Sequence, residues 1–355
     1  MDTIMSLNVS SLTIHTGLVG RSRQFQQIVE VLGRDGDLLI VGVPGSGRRT
    51  LVRKAASVIG AIVLEVDCIR AIDGERFVQL LAEAINQSFE PAMIQNWVAK
   101  HTLYFEFSEG KIKLLRLNPK QLWQAFESLI CLPQLLAESI ERRVVLILPS
   151  FPHIRSWDRH QLWETTLRSQ VQMHTQVSYV LIATSAEKSE PLETVQLAPL
   201  SKDVLAVWVQ EILLAAGLSF DVRSPALSIF LNAVQGHIGD ATALIRRLKM
   251  LSQGLITAPQ VEEAIAGLLQ DLAITFESLL MLLPGSQVHL LECLALDPTD
   301  KPQSREYIQK HSLSRGGSLQ GALTSLQQKG LIYGAEQGYQ LALPLLALWL
   351  RQRLG

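Results

Sequence analysis

The segment GVPGSGRRT, residues 42–50, has the residue types and the spacing of a loop that holds phosphate groups. Its glycines allow backbone N–H groups to converge on phosphate oxygens, and a helix that starts directly after the loop adds the positive end of its dipole. The alternative is a glycine turn that serves only packing. The candidate ligand-binding residues are Gly42, Val43, Pro44, Gly45, Ser46, Gly47, Arg48, Arg49 and Thr50.

The cation and hydroxyl positions of this loop are altered. In the pattern GxxxxGK[ST], Arg48 stands at the lysine position and Arg49 at the position of the hydroxyl that binds Mg²⁺. Arg48 keeps a positive charge, although a guanidinium is bulkier than an ammonium and planar. Only Thr50, one residue later, offers an oxygen. We therefore expect ATP or ADP as the ligand, and we expect Arg49 to repel Mg²⁺ or partly to replace it.

The acids that nucleotide hydrolysis requires are also missing from their expected place. A strand that ends in two carboxylates normally holds the metal and positions the attacking water. The corresponding apolar strand here, within RRVVLILPSFPHI, is followed by Pro149 and Ser150, and the next acid along the chain is Asp158. We assign no catalytic residue and no metal ligand. An active ATPase stays open as a third interpretation only if an acid comes from elsewhere in the chain.

The elements around the loop predict an α/β fold. Helical patterns over residues 75–86, 121–140 and about 161–173 separate continuous apolar segments, which is typical of parallel strands buried on both faces. Residues 87–120 show no clear pattern. The apolar segments are residues 38–41, 61–67, 144–148 and 177–184.

The chain after Pro199 changes to helical patterns alone. Helices are predicted over residues 202–216, 225–234, 240–253 and 259–269, and residues 283–286 are typical of a hinge. Three further helices, at 288–295, 304–311 and 317–329, precede two short strands, at 330–333 and 338–341. That order describes a winged helix-turn-helix. We predict a P-loop α/β core over residues 1–198, an all-α lid over 199–270 and a winged-helix domain over 271–355.

The composition is that of a globular protein. Apolar residues make up 48% of the 355 residues, charged residues 18%, and the mean hydropathy is +0.21, which excludes a disordered chain. The net charge of −1 provides no overall attraction to nucleic acid, so any DNA contact has to be local. The most apolar segments considered are shorter than the roughly 20 residues that span a bilayer. Without a basic region before an apolar core at the N-terminus, we expect a cytoplasmic protein without membrane contact.

The motifs together resemble the archaeal-ATPase family, within the STAND and AAA+ relatives of origin-recognition initiator ATPases. The similarity extends from LVGR at residues 18–21 to LPLLALWLRQRL at the C-terminus. It implies an ATP-binding P-loop protein with a sensor strand, in which Thr184 and Ser185 are the polar candidates beside the γ-phosphate. Thr242 stands where initiator-type relatives carry an arginine, and only Phe151 remains of their Asp-Glu-Phe-Gln segment.

The segment SRGGSLQGALTSLQQKGLI resembles the recognition element of the family's winged helix. Its leucines are expected to pack inward, and its polar side chains to face outward, where they contact base edges or phosphates of double-stranded DNA. Docking of a protein partner or of a second copy of the chain is the alternative. The nucleic-acid candidates are Arg315, Gln320, Thr324 and Lys329.

These observations predict a nucleotide-binding switch or scaffold with little or no hydrolysis, which acts on DNA or on a protein partner through its winged helix. The alternative is a pseudo-ATPase adaptor with an empty site that acts only through protein–protein interaction.

Overall fold

The computed structural model describes residues 19–186, 192–314 and 316–355. They divide into two compact units. Residues 22–41 and 48–196 form the α/β unit, whereas residues 19–21, 42–47 and 197–355 form the helical unit.

The α/β unit is built on a five-stranded sheet. Its strands are β1 Leu38–Gly42, β2 Ile62–Glu65, β5 Val144–Leu148, β6 Val177–Ala183 and β7 Glu193–Leu197. They lie in the order β2-β5-β6-β1-β7, and the pairs β1–β6, β2–β5 and β5–β6 are parallel. Every residue of β1, β5 and β6 is buried, as continuous apolar strands require when both faces of a sheet are covered. This arrangement confirms the predicted parallel α/β sheet.

Two of the helices of this unit begin at side-chain caps. The helices of the unit are α1 Ser22–Gly33, α2 Arg48–Val58, α3 Gly74–Ser88, α4 Pro91–Val98, α5 Pro119–Ile140 and α6 Leu162–Met173. Asp73 accepts a hydrogen bond from the Arg76 amide at the start of α3, and Asn118 and Gln121 form a capping box at the start of α5.

Residues 87–120, for which the sequence predicted no structure, contain α4 and a β-hairpin. The strands β3 Phe105–Ser108 and β4 Lys111–Leu114 pair in antiparallel fashion. Glu109 and Gly110 connect them with φ of 55° and 74°, which is the left-handed geometry of a two-residue hairpin turn.

The first part of the helical unit contains four helices and one short parallel strand pair. The elements are α7 Lys202–Leu214, β8 Ser219–Phe220, α8 Ala226–Val234, α9 Ile238–Leu251, β9 Leu255–Ile256 and α10 Ala258–Met281. Their apolar faces enclose a core that includes Leu205, Phe230, Leu244 and Val261.

Helix α10 is longer than predicted and runs without a break across the predicted domain boundary at residue 270. Of the described helices, it alone is long and apolar enough to cross a membrane, by length and composition only. Val261 and Ala264 lie in the core of the four helices, whereas Leu269, Phe276 and Leu280 lie in the following core. It therefore contributes to both cores of this unit, although only 22% of its most apolar 18-residue stretch is buried.

The C-terminal part of the helical unit consists of four helices and a very short wing. Instead of the two predicted strands, the wing has a single antiparallel bridge between Ile332 and Leu341. Trp349 is 8% exposed and lies in the core of this part. The helices are α11 Gly285–Leu296, α12 Arg305–Lys310, α13 Gly317–Gln328 and α14 Pro344–Leu354.

Candidate functional site

The candidate phosphate loop connects the end of β1 with the start of α2. Gly45 and Gly47 have φ of +80° and +88°, a conformation that side chains with a Cβ rarely adopt. The Ser46 amide donates to the carbonyl of Val43 at 3.2 Å. The side chain of Ser46 is 7% exposed, and its buried hydroxyl has no hydrogen-bond partner. Such an orphan group at the centre of a glycine loop fits a polar ligand.

The backbone amides of Gly45 and Gly47 donate to no acceptor in the described part of the chain. Two free donors and one free hydroxyl within three residues match the donor set that a phosphate requires. The residues present therefore fit a pyrophosphate group.

His237 contacts the outer side of the same loop. Its Nε2–H donates to the carbonyl of Pro44 at 2.7 Å. A Cβ on Gly45 would lie 2.6 Å from the imidazole ring, and a Cβ on Gly239 would lie 3.2 Å from the Cα of Gly45. Only glycine at positions 45 and 239 permits this approach of the loop and the start of α9.

Arg48, the lysine-position residue, is held by the sheet of the α/β unit. Its guanidinium donates to the carbonyl of Ala183 at 2.8 Å, at the end of β6. The structure thus brings Arg48 next to the sensor candidates, because Thr184 and Ser185 directly follow that carbonyl. Burial, and then the charge of Arg49, lower the pKa of Arg48 to about 10.

Arg49 is engaged at the end of β2. It forms an ion pair with Asp67 and a second one with Glu65 at 3.6 Å. Thr50 is exposed in the first turn of α2. Of the described residues, no group of three or more His, Cys, Asp and Glu side chains is arranged to hold a metal ion. The surroundings of Arg49 do not fit Mg²⁺, because a fixed cation occupies the position of the metal-binding hydroxyl.

The tip of β5 offers no carboxylate. Pro149 follows the strand, and its carbonyl accepts from the Cys68 amide at 3.0 Å. Ser150 has a left-handed backbone with φ of 55°. Asp158, the next acid, is 5% exposed and caps α6 by accepting from the amides of Leu162 and Glu164. Its carboxylate is therefore used in holding the start of a helix.

The winged-helix candidates separate into two groups. Gln320 and Thr324 are exposed on one face of α13, with their side chains 3.5 Å apart. Lys329 points away from that face, by the periodicity of roughly 3.6 residues per turn. Its ammonium donates to Gln287 at 2.8 Å. Arg315 lies outside the described residues.

Two residues at this site escaped the sequence analysis, His237 and Asp240. Their ion pair joins Nδ1 and Oδ1 at 3.0 Å, and the side chains are 4% and 14% exposed. Thr242, at the arginine position of the resembled family, bonds to the Ile238 carbonyl of its own helix at 2.7 Å. The available signal is the GHIGD segment, because a histidine between glycines before a helix is an unusual N-cap.

Comparisons with known proteins agree with this architecture. A family model described as a probable winged helix domain matches residues 274–352. A Walker-type ATPase of Pyrococcus abyssi superposes with a TM-score of 0.68 at 14% identity, over 94% of this chain and 96% of that one. Drosophila ORC bound to DNA superposes with a TM-score of 0.52 at 16% identity, over 100% of this chain and 85% of that one. A search of curated protein sequences gave no significant match.

The chain has the AAA+ P-loop ATPase fold. The parallel sheet and the C-terminal winged helix confirm the predicted fold class, and the similarity at 14% and 16% identity shows the fold alone. In this fold the glycine loop lies between β1 and α2.

Proposed function

We propose that this protein is a nucleotide-binding switch or scaffold with little or no hydrolysis, and that it acts on DNA or on a protein partner through its winged helix. The observation that carries the proposal is the glycine loop after β1, with two free amides and a buried, unpaired Ser46 hydroxyl. ATP or ADP supplies the phosphate oxygens that these donors lack.

Weak or absent hydrolysis follows from the charges around the loop. Phosphoryl transfer needs stabilisation of the charge that develops on the phosphoryl oxygens, mostly by a metal ion and its carboxylate ligands. Pro149 and Ser150 occupy the carboxylate positions, and Asp67 is already paired with Arg49. Nucleotide then acts as a bound effector rather than as a substrate.

Double-stranded DNA is the first macromolecular partner to test. Gln320 and Thr324 present amide and hydroxyl groups on the exposed face of α13, where a winged helix contacts base edges. The neutral character of this face limits the contribution from counterion release, so binding is expected to be modest and to depend only weakly on salt. Cytoplasmic location and self-association remain part of the proposal.

A thermal-shift titration with ATP and ADP, with Mg²⁺ and with a chelator, tests nucleotide binding. A ligand at 100 times its dissociation constant stabilises the folded state by about 2.7 kcal/mol. We expect a shift for the wild type and its loss in Gly47→Ala, because a residue with a Cβ rarely adopts the φ of +88° that Gly47 has in the loop. Gly217→Ala is the matched control, because Gly217 also has a positive φ, of +72°, and open space around it. A wild-type protein that shows no shift at millimolar nucleotide contradicts the proposal.

The second candidate function, an adaptor with an empty loop, is favoured by the hydrogen bonds that groups of residues 42–50 already make within the protein. Arg48 already bonds to Ala183, Arg49 to Asp67, and the Pro44 carbonyl to His237. If nucleotide has no effect while the chain still captures a partner protein, this second function replaces the first.

A further inference from the structure

The last helix of the winged-helix part begins without a cap from its own segment. Leu343 stands at the N-cap of α14 and provides no side-chain hydrogen bond, and Pro344 at the first position has no N–H. The first available amide is that of Leu345, and it donates to Asp240 Oδ2 at 3.0 Å. A carboxylate from α9 thus caps α14, where the helix dipole also favours negative charge.

Asp240 is in turn held by His237. The Asp240 amide donates to the imidazole Nδ1 at 3.1 Å. The other carboxylate oxygen, Oδ1, lies 3.0 Å from the same nitrogen, which donates to it only when the ring is protonated. The position of His237 is fixed by a tight turn, because a Cβ on Gly236 would lie 2.3 Å from the carbonyl of Leu200. With side chains 4% and 14% exposed, the pair is largely shielded from water, so its hydrogen bonds are stronger than at the surface.

The opposite side of the imidazole holds the phosphate loop. His237 Nε2 bonds to the Pro44 carbonyl, which shares its peptide plane with the Gly45 amide. In a trans peptide the C=O and the N–H point in opposite directions. A donor fixed on the Pro44 oxygen therefore turns the Gly45 N–H away from His237, and that N–H has no acceptor among the described residues.

We propose that His237 is a positioning residue that orients the Gly45 amide toward a bound phosphate, and that Asp240 transmits this state to the start of α14. The proposal rests on the proposed nucleotide binding. Ligand at the loop and the cap on α14 then stabilise each other, since a coupling between two sites is reciprocal.

Polarisation of the peptide group between Pro44 and Gly45 is the physical link between a bound phosphate and His237. A phosphate that accepts from the Gly45 N–H makes the Pro44 oxygen of the same peptide a better acceptor, because hydrogen bonds in a chain strengthen one another. The bond from His237 tightens, and stronger donation from Nε2–H makes Nδ1 a better acceptor for the Asp240 amide. The nearby titratable groups are Tyr333, which interacts electrostatically with Asp240, and Arg21, which interacts with Tyr333.

The first arm of the test is amide hydrogen exchange in the nucleotide-free protein. In His237→Ala, the first amides of α14 are expected to exchange several-fold faster, although the side-chain hydrogen bonds of His237 reach only Pro44 and Asp240 among the described residues. Asp203→Asn is the matched control, because Asp203 is an acid in the first turn of another helix, α7. Equal exchange of α14 in wild type and in folded His237→Ala overturns the link to the winged helix.

The second arm measures ATP affinity by titration of the same proteins. His237→Ala is expected to bind ATP several-fold more weakly, and His237→Gln, which keeps one N–H donor for Pro44, is expected to recover part of the affinity. If His237 had only a structural role, His237→Ala and His237→Gln would bind ATP with the same affinity. Equal ATP affinity in wild type and His237→Ala overturns the positioning role. A wild type that does not bind ATP contradicts the proposed function. In that case the hydrogen-exchange result still decides whether His237 is linked to the start of α14.

Discussion

Gly45 is the position at which the phosphate loop and the start of α9 approach most closely. Its φ is +80°, and the His237 ring lies 2.6 Å from the place that a Cβ would take, so there is no room for a side chain. The backbone conformation alone costs an L-residue about 1–2 kcal/mol. The contact with His237 adds to that cost, because the imidazole has to leave its hydrogen bond to Pro44.

Gly45→Ala is therefore expected to lower the free energy of unfolding more than Gly254→Ala does. Gly254 has nearly the same φ, +79°, but nothing lies within 4 Å of an added Cβ. Urea denaturation of the two variants separates backbone strain, which they share, from the loss of the His237 contact. Equal destabilisation would show that the His237 contact contributes nothing.

His237 also gives the loop a dependence on pH. Burial disfavours the charged ring, but the hydrogen bond and charge of Asp240, and then the Pro44 carbonyl, raise its pKa above the ordinary 6.5. A group with a raised pKa in the folded state adds stability below its unfolded pKa, and this stability is lost as the pH rises through the folded pKa. The window therefore lies above pH 6.5.

The difference in unfolding free energy between wild type and His237→Gln is expected to shrink as the pH rises through this window. Urea titrations at a series of pH values measure this difference. Gln309→Glu, at an exposed position of α12, is the control, because it leaves the titration of His237 unchanged. A difference that stays constant from acid to alkaline pH contradicts the assigned ion pair.

Among the elements of the α/β unit, the sheet has a partly buried acid, Asp37, directly before β1. Asp37 accepts a hydrogen bond from the Tyr179 amide of β6 at 2.7 Å. Burial raises the pKa of Asp37 to about 6, although that hydrogen bond lowers it. Because the unfolded chain releases this proton near pH 3.8, the folded state loses stability as the pH rises from there to about 6.

Asp37→Asn keeps an oxygen for the Tyr179 amide and removes the buried charge. Relative to wild type it is expected to be more stable near neutral pH than near pH 4, by about 1–3 kcal/mol. Urea unfolding at the two pH values measures this change. A stability difference that does not vary with pH would show that Asp37 stays ionised at no cost.

Elements with strong periodic patterns were predictable, and those without them were not. The sheet strands are continuous apolar segments, so β1, β5 and β6 followed from sequence. Strand β7, ETVQL, alternates between exposed and buried residues at the edge of the sheet, which gives a weak signal. The hairpin of β3 and β4 also has a weak signal, because Glu109-Gly110 is less typical of such turns than Asn-Gly or Asp-Gly.

Within the site, the loop was predictable because its glycines are local, but its partners were not. The bonds from Arg48 to Ala183 and from His237 to Pro44 join residues 135 and 193 positions apart in the chain. No local pattern encodes such distant contacts. The wing was overestimated, because the residues flanking the Ile332–Leu341 bridge make turns rather than longer strands.

At the scale of the whole molecule, the winged helix is the part through which nucleotide binding would affect a partner. A Gln320→Glu substitution on the exposed face of α13 adds a negative charge where a DNA backbone would approach. We expect it to weaken binding of duplex DNA several-fold in gel-shift assays at low salt, whereas Gln309→Glu on α12 has the same charge change and little effect. Equal retardation of both variants and wild type places any DNA contact elsewhere and favours protein docking.

Calorimetric titration of the full chain with ATP decides whether the loop binds nucleotide without a metal. One titration contains Mg²⁺ and the other a chelator, with Gly47→Ala as the control for binding at the loop. We expect saturable binding with similar affinity in both conditions and none in the variant. An absence of binding in either condition, or binding that appears only with Mg²⁺, contradicts nucleotide binding of the kind proposed here.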